Sequence, residues 1–166
     1  DTTASGKNTA IGLAAGYTNV TGTDNTWVGF QAGKGGVGNN SNNVGVGSNA
    51  LLAVTTGAGN TSVGTNSNIT ITGTDNNTAI GYNAHKGNGS ANTVLGAYAL
   101  DNTSSEADQT VVIGYSAMRG DTTSGADGSV AIGTSSLGAL TSGAGNTAVG
   151  YASLSTNIDG DFNTAV

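Results

Sequence analysis

The stretch GAGNTAVGY, residues 143–151, is written almost twice in this chain of 166 residues. GAGNTSVGT at 57–65 differs from it at two positions, and GTDNNTAIGY at 73–82 is a close relative that is one residue longer. A short phrase that returns at a nearly fixed period is the signature of proteins built from stacked structural repeats. The repeats therefore indicate the architecture of the chain before they indicate any chemistry.

Blocks of this Asn-Thr-x-aliphatic-Gly kind occur along almost the whole chain. They begin at Asn8, Asn25, Asn43, Asn60, Asn77, Asn92, Thr110, Ser129, Asn146 and Asn163. The spacing between successive blocks ranges from 15 to 19 residues and averages about 17, so nine complete repeats cover 8–162. We predict that residues 1–166 form a single repeat region. Both ends fall inside a repeat, so we expect a segment of a longer chain.

The second and fourth positions of each block carry residues that favour extended backbone. The second is Thr or Val, and the fourth is always aliphatic. Side chains alternate along a strand, so these two positions share one face, and we expect that face to point into the core. The predicted core is Ile11, Val28, Val46, Val63, Ile80, Leu95, Ile113, Ile132 and Val149.

The rest of each repeat predicts a narrow coil. Gly occupies the fifth position of every complete block, and Ala or Ser occupies the eighth. Gly, Asn and Thr at this density oppose helix formation, and common helical repeats need 33 or more residues. We therefore predict an all-β fold, a parallel β-solenoid of about nine coils in which two short strands and two bends complete each coil. Coils stacked about 4.8 Å apart would form a rod about 43 Å long.

Asn stands first in eight of the ten blocks, which predicts a ladder of amides between coils. Stacked amide side chains can hydrogen-bond from one layer to the next. The predicted Asn ladder consists of Asn8, Asn25, Asn43, Asn60, Asn77, Asn92, Asn146 and Asn163.

Composition excludes several classes of partner. The net charge is −6 with four basic residues, so we expect neither nucleic-acid binding nor attachment to anionic lipid. No apolar run approaches the roughly 20 residues that span a bilayer, so we expect no membrane insertion. Charged residues make up 8% of the chain and proline is absent, which is unlike a disordered chain.

Two stretches resemble a known family. GSVAIG at 128–133 resembles the SVAIG motif of YadA-type heads in trimeric adhesins. TSGAGNTAVGYASL at 141–154 resembles the NTAxGYxAL arrays of phage tail fibres and bacterial surface proteins. The resemblance implies a left-handed parallel β-roll, a homotrimer and a role in host or surface attachment. It also implies an extracellular location, on a virion tail fibre or a bacterial cell surface, and a cell-surface glycan or protein as receptor.

Association also follows from the sparse core. One or two aliphatic residues per coil bury too little apolar area to offset the ordering of about 17 residues. Small third-position residues, such as Ala10 and Ala148, could let neighbouring chains approach closely. Trp27 breaks that column, either as a local plug or as an exposed platform for a sugar ring.

Little in the sequence predicts catalysis, and we expect no enzyme, cofactor or metal site. His85 is the only histidine and lies in a repeat column with Leu51, Leu100, Met118, Leu137 and Leu154, so it is expected to be structural. Asp159 and Asp161 faintly suggest a calcium loop but lack its remaining ligands.

Three other functions stay open, and one charge pattern tests the register. The alternatives are a self-assembling extracellular filament, an ice-binding solenoid and a depolymerase spike. The ice-binding alternative is weakened by the expectation that the Thr column points inward. Stacking is expected to bring Lys86, Asp101 and Arg119 into one row.

Overall fold

A computed structural model describes residues 6–35, 38–102 and 104–166 of the chain. Residues 1–5 of the predicted repeat region lie outside the described residues. Ten short strands form one parallel sheet in chain order. They are β1 Thr9–Ile11, β2 Thr26–Val28, β3 Val44–Val46, β4 Thr61–Val63, β5 Thr78–Ile80, β6 Thr93–Leu95, β7 Val111–Ile113, β8 Val130–Ile132, β9 Thr147–Val149 and β10 Thr164–Ala165. One 3₁₀ helix spans Ser124–Ala126.

The register places each block directly on the next. Thr78 pairs with Thr93 and Ile80 with Leu95, and every neighbouring pair of strands repeats this alignment. Backbone hydrogen bonds join each strand to its neighbouring coil. For example, the Ile80 carbonyl accepts from the Gly96 amide at 2.9 Å. The predicted parallel β-solenoid of about nine coils is therefore confirmed.

Each coil contains one strand, whereas the sequence predicted two. The far side of the coil is a run of turns that still bonds to its neighbours, as where the Leu51 amide donates to the Ser67 carbonyl at 3.1 Å. Positions seven and nine of the repeat adopt left-handed backbone, for example Asn49 at φ 58° and Leu51 at φ 54°. Two such residues in three positions cannot continue an extended strand.

The predicted core faces outward, which corrects the sequence analysis. Ile80 is 40% exposed and Leu95 is 45% exposed, and none of the nine predicted core residues is buried. The residues wrongly predicted to form the core are Ile11, Val28, Val46, Val63, Ile80, Leu95, Ile113, Ile132 and Val149. From β2 to β9 the third position is buried instead, so its small residues there do not lie on the outer surface. The interior between the sheet and the facing turns is thin, and small side chains fill it without overpacking.

The interior is built mainly from three positions of the repeat, and Val54, Ile71 and Leu140 add to it from the twelfth. Small third-position residues of the strands meet the small eighth position of the turns, and the ninth position adds larger side chains, as Leu100 and Leu137 do. These residues form two apolar clusters, one within 15–71 and one within 79–148. Buried Ser62, Ser67 and Asn68 lie in the coil beginning at Asn60, where the two clusters meet.

Trp27 fills the interior of its coil and is not an exposed sugar platform. Its side chain is 0% exposed, as expected for the alternative of a local plug. The ring leaves no room for a side chain at two glycines beside it. A Cβ on Gly45 would lie 2.8 Å from Trp27 Cε3, and a Cβ on Gly33 would lie still closer to Trp27 Cδ2. Gly45, which pairs with Trp27 in the next coil, thus leaves the space that the indole ring occupies.

A double-mutant cycle tests this contact between Trp27 and Gly45. Gly45→Ala is expected to destabilise the protein by about 1–3 kcal/mol, because the new methyl group overlaps the Trp27 ring. Trp27→Ala alone leaves a cavity and costs about 3–5 kcal/mol. In the Trp27→Ala background the sign should reverse, because alanine occupies the same position in β5, β8 and β9 and fits there. Chemical denaturation measures all four proteins, and additive effects would contradict the assigned contact.

Candidate functional site

The broadest feature of the described surface is the outer side of the sheet, here called the outward face. It consists of the second and fourth positions of β1–β9, and none of these residues is charged. Its rungs are about 10 Å wide and its stack is about 43 Å long, so its flat footprint is about 430 Å². The fourth position is aliphatic in all nine strands and the second is Thr in six of them, so an apolar file runs beside a threonine-rich one. Large exposed apolar areas of this kind are often functional.

Aromatic side chains widen the outward face on one side. Tyr82 and Tyr115, at the sixth position, flank Tyr98 with ring centroids 5.3 and 5.8 Å away and nearly perpendicular planes. The Arg119 guanidinium lies over the Tyr98 ring, 5.5 Å from its centroid. Desolvation beside the two other rings raises the pKa of Tyr98. The cluster joins three consecutive coils.

The expected charge row is only partly formed. Lys86 Nζ lies 2.7 Å from Asp101 Oδ1, as the register predicts, and the Asp101 side chain is 7% exposed. Arg119 lies against Tyr98 instead of completing the row.

The asparagines of the first position clamp adjacent coils inside the solenoid. Asn77 Oδ1 accepts from the Asn92 amide at 2.9 Å, and Asn77 Nδ2 donates to the Gly89 carbonyl at 2.9 Å. In six other coils the first-position Asn Oδ1 likewise accepts from the first-position backbone amide of the next coil. These residues are Asn8, Asn25, Asn43, Asn60, Asn92 and Asn146. Position one and position three lie on the same inward side of the strand. The ladder is therefore mainly amide to backbone, and it holds the stack together.

The acidic residues at the turns bind backbone. Asp161 Oδ1 accepts from the Ala144 amide at 2.8 Å, and Asp127 Oδ1 accepts from the Asp108 amide at 2.8 Å. In both pairs the carboxylate satisfies an amide of the preceding coil. Asp127 and Asp161 are therefore turn residues that fasten one coil to the next.

The one histidine of the chain lies in the interior of the part that the structure describes, residues 6–35, 38–102 and 104–166. His85 is fully buried, and its ring contacts two asparagines. In the same ranges there is neither a pocket nor a group of three His or acidic side chains placed to hold a metal. The described chain also has no helix with the length and apolar character needed to cross a bilayer.

The comparisons with known proteins leave the outward face as the main functional clue. No protein-family model matches the chain, and no curated protein or solved structure matches it. Sequence reasoning assigned the aliphatic column to the core and so missed this face. The signal that could have located it was the small third position, which suits a thin interior.

Proposed function

We propose that the chain is a structural and adhesive segment of a homotrimeric fibre, carried by a phage tail or a bacterial surface. The observation that carries the proposal is the outward face, whose aliphatic file runs through nine coils without a charged residue. A monomer would leave this file in water over the full length of the rod. Association with copies of the chain would bury it, at about 25 cal/mol per Å² of apolar area.

The shape of the face supports a second copy of this chain as the partner. A straight stripe that repeats at the coil spacing is matched by another stripe of the same spacing, and a second copy of this chain has one. The number three rests on the resemblance of GSVAIG and NTAVGYASL to trimeric heads and fibres. Three rods side by side would bury the stripes centrally and leave the turns to contact a surface glycan or protein.

Sedimentation equilibrium tests the proposal. We expect a mass of about 48 kDa, three times the 16.0 kDa of the chain, over a wide range of protein concentration. A mass of 16 kDa at micromolar concentration would contradict it. Electron micrographs of the same sample should show short rods of constant width.

An ice-binding solenoid is the second candidate, because the Thr column faces outward. Thr26, Thr61 and Thr78 lie on the outward face beside the aliphatic file, contrary to the sequence expectation. In the three consecutive strands that begin with Thr61, Thr78 and Thr93, hydroxyl and methyl groups therefore repeat about every 4.8 Å on a surface that could order water. The two functions use the same face, and a face that is buried between copies cannot also contact ice, so the two functions are distinguishable. A monomer that shows thermal hysteresis supports ice binding, and a trimer without hysteresis supports the fibre.

A further inference from the structure

His85 lies at the polar junction between the two apolar clusters. It occupies the ninth position, where Leu100 and Leu137 contribute apolar side chains in other coils, and its side chain is fully buried. Asn68 occupies the same position one coil earlier and is also buried. The imidazole thus replaces an aliphatic side chain where Ser62 and Ser67 already interrupt the apolar interior.

The hydrogen bonds of His85 fit the neutral ring alone. Nδ1 contacts Asn68 Oδ1, and Nε2 lies 3.4 Å from Asn92 Nδ2. The Asn92 amide is fixed, because its Nδ2 donates to the Ala107 carbonyl and its Oδ1 accepts from the Thr110 amide and hydroxyl. Nε2 must therefore accept from Asn92, and Nδ1–H donates to Asn68. A proton on Nε2 would point at the N–H groups of Asn92.

Among the described residues, no charged group contacts the His85 ring to compensate a second proton. The residues facing the ring from adjacent positions are the neutral Asn68, Asn92 and Leu100. The charged neighbour in sequence, Lys86, pairs with Asp101. Burial alone lowers the pKa of His85 to about 4. Protonation of the ring is thus unfavourable for two reasons: it breaks the hydrogen bond to Asn92, and it places a charge where water is excluded.

We propose that His85 is an acid-sensitive link in the solenoid: its neutral ring joins three consecutive coils, and its protonation opens the stack between the two apolar clusters. The device does not depend on the proposed fibre function, since it lies inside a single chain. Opening gives the ring access to water, which solvates the imidazolium. The coils around Asn68 and Asn92 then lose their cross-links, whereas the coils beyond Ser129 keep theirs.

The sign of the pH dependence follows from proton binding. The unfolded chain takes up a proton near the ordinary pKa of 6.5, and the folded chain takes it up near 4. Stability from this group is therefore complete above pH 6.5 and is lost as the pH falls from 6.5 to 4. At pH 5 the unfolding equilibrium constant should exceed its value at pH 8 by about 30-fold on account of His85 alone.

A matched pair of proteins tests the link. His85→Leu is the control, because Leu51 and Leu100 adopt the same left-handed backbone at this position. Carboxylates contribute equally to both proteins, so the difference between them reports His85. Between pH 8 and pH 5, the unfolding equilibrium constant of the wild type should rise about 30-fold more than that of the variant, as measured by urea unfolding at fixed protein concentration. Equal pH profiles would overturn the proposal.

A direct titration tests it even where the variant fails to fold. The chain has one histidine, so the imidazole gives a single set of nitrogen resonances in NMR spectra. We expect the Nδ1–H tautomer and no titration of the folded form between pH 7.5 and pH 5. Below that range, amide protection should fail first at Asn68 and His85 and last at Leu137. Titration near pH 6.5 with the folded spectrum unchanged would overturn the proposal.

Discussion

Gly81→Ala is expected to destabilise the solenoid by about 3–5 kcal/mol. Gly81 has φ 139°, a conformation that a residue with a side chain rarely adopts, and the strain costs about 1–3 kcal/mol. An added Cβ would also lie 2.6 Å from the carbonyl oxygen of Gly96 in the next coil, which forces the two coils apart. Chemical denaturation at fixed protein concentration measures the loss.

Gly128→Asn is the matched control for this substitution. Gly128 also has positive φ, at 66°, but a Cβ there would meet no atom within 4 Å. Asn42 and Asn76 adopt left-handed backbone at the corresponding position of their repeats. We expect a change within about 1 kcal/mol. A Gly81→Ala protein as stable as this control would show that coil spacing does not require glycine.

Leu95→Glu is expected to dissociate the proposed trimer. Leu95 is 45% exposed in the single chain, so the substitution should cost an isolated solenoid no more than about 0.5 kcal/mol. In an assembly that buries the outward face, it would place three carboxylates in an apolar interface, at about 3–5 kcal/mol for each unpaired charge. The dissociation constant should rise at least about 1000-fold, as measured by sedimentation.

Ile158→Glu separates an interface effect from a general effect of charge. Ile158 is 56% exposed and lies in a turn segment outside the strands, so its variant should keep the mass of the wild type. Circular dichroism should show that both variants retain the solenoid. If Leu95→Glu also kept the wild-type mass, the outward face would not be the contact between copies.

The period of the fold was predictable, and the direction of its faces was not. Regular return of the Asn-Thr-x-aliphatic-Gly block fixed the stacking, the parallel order and the length of each coil, because the same register satisfies every block. Alternation divided the strand into two faces correctly. Hydrophobicity then favoured Ile80 and Leu95 for the interior, but the coil is too thin to enclose a row of branched side chains.

Two signals in the sequence pointed to the correct face. Asn at position one and the small residue at position three share a side, and a stack of amides is worth most where water is excluded. The neighbouring pair Trp27 and Gly45 shows the same constraint, because a large side chain was matched by the loss of one in the next coil. Neither signal concerns hydrophobicity, which explains why a reading based on apolar residues missed it.

The candidate site was less predictable than the fold. The outward face depends on which side of the strand is inside. The two bonds of His85 depend on the stacking that brings Asn68, 17 positions earlier, and Asn92, 7 positions later, to the ring. The Lys86 and Asp101 pair followed from the register alone. The place of Arg119 over Tyr98 did not, since it required the orientation of an aromatic side chain at the edge of the sheet.

An isotope-filtered NOE experiment tests the central claim, that the aliphatic file lies between copies of the chain, most directly. Methyl-labelled and unlabelled chains are unfolded together, refolded as a mixture and examined by NMR. We expect NOEs from the methyl groups of Ile80 and Leu95 to protons of the unlabelled chain, and none from the inward Val94. NOEs from Ile80 and Leu95 that stay within one chain would contradict the claim.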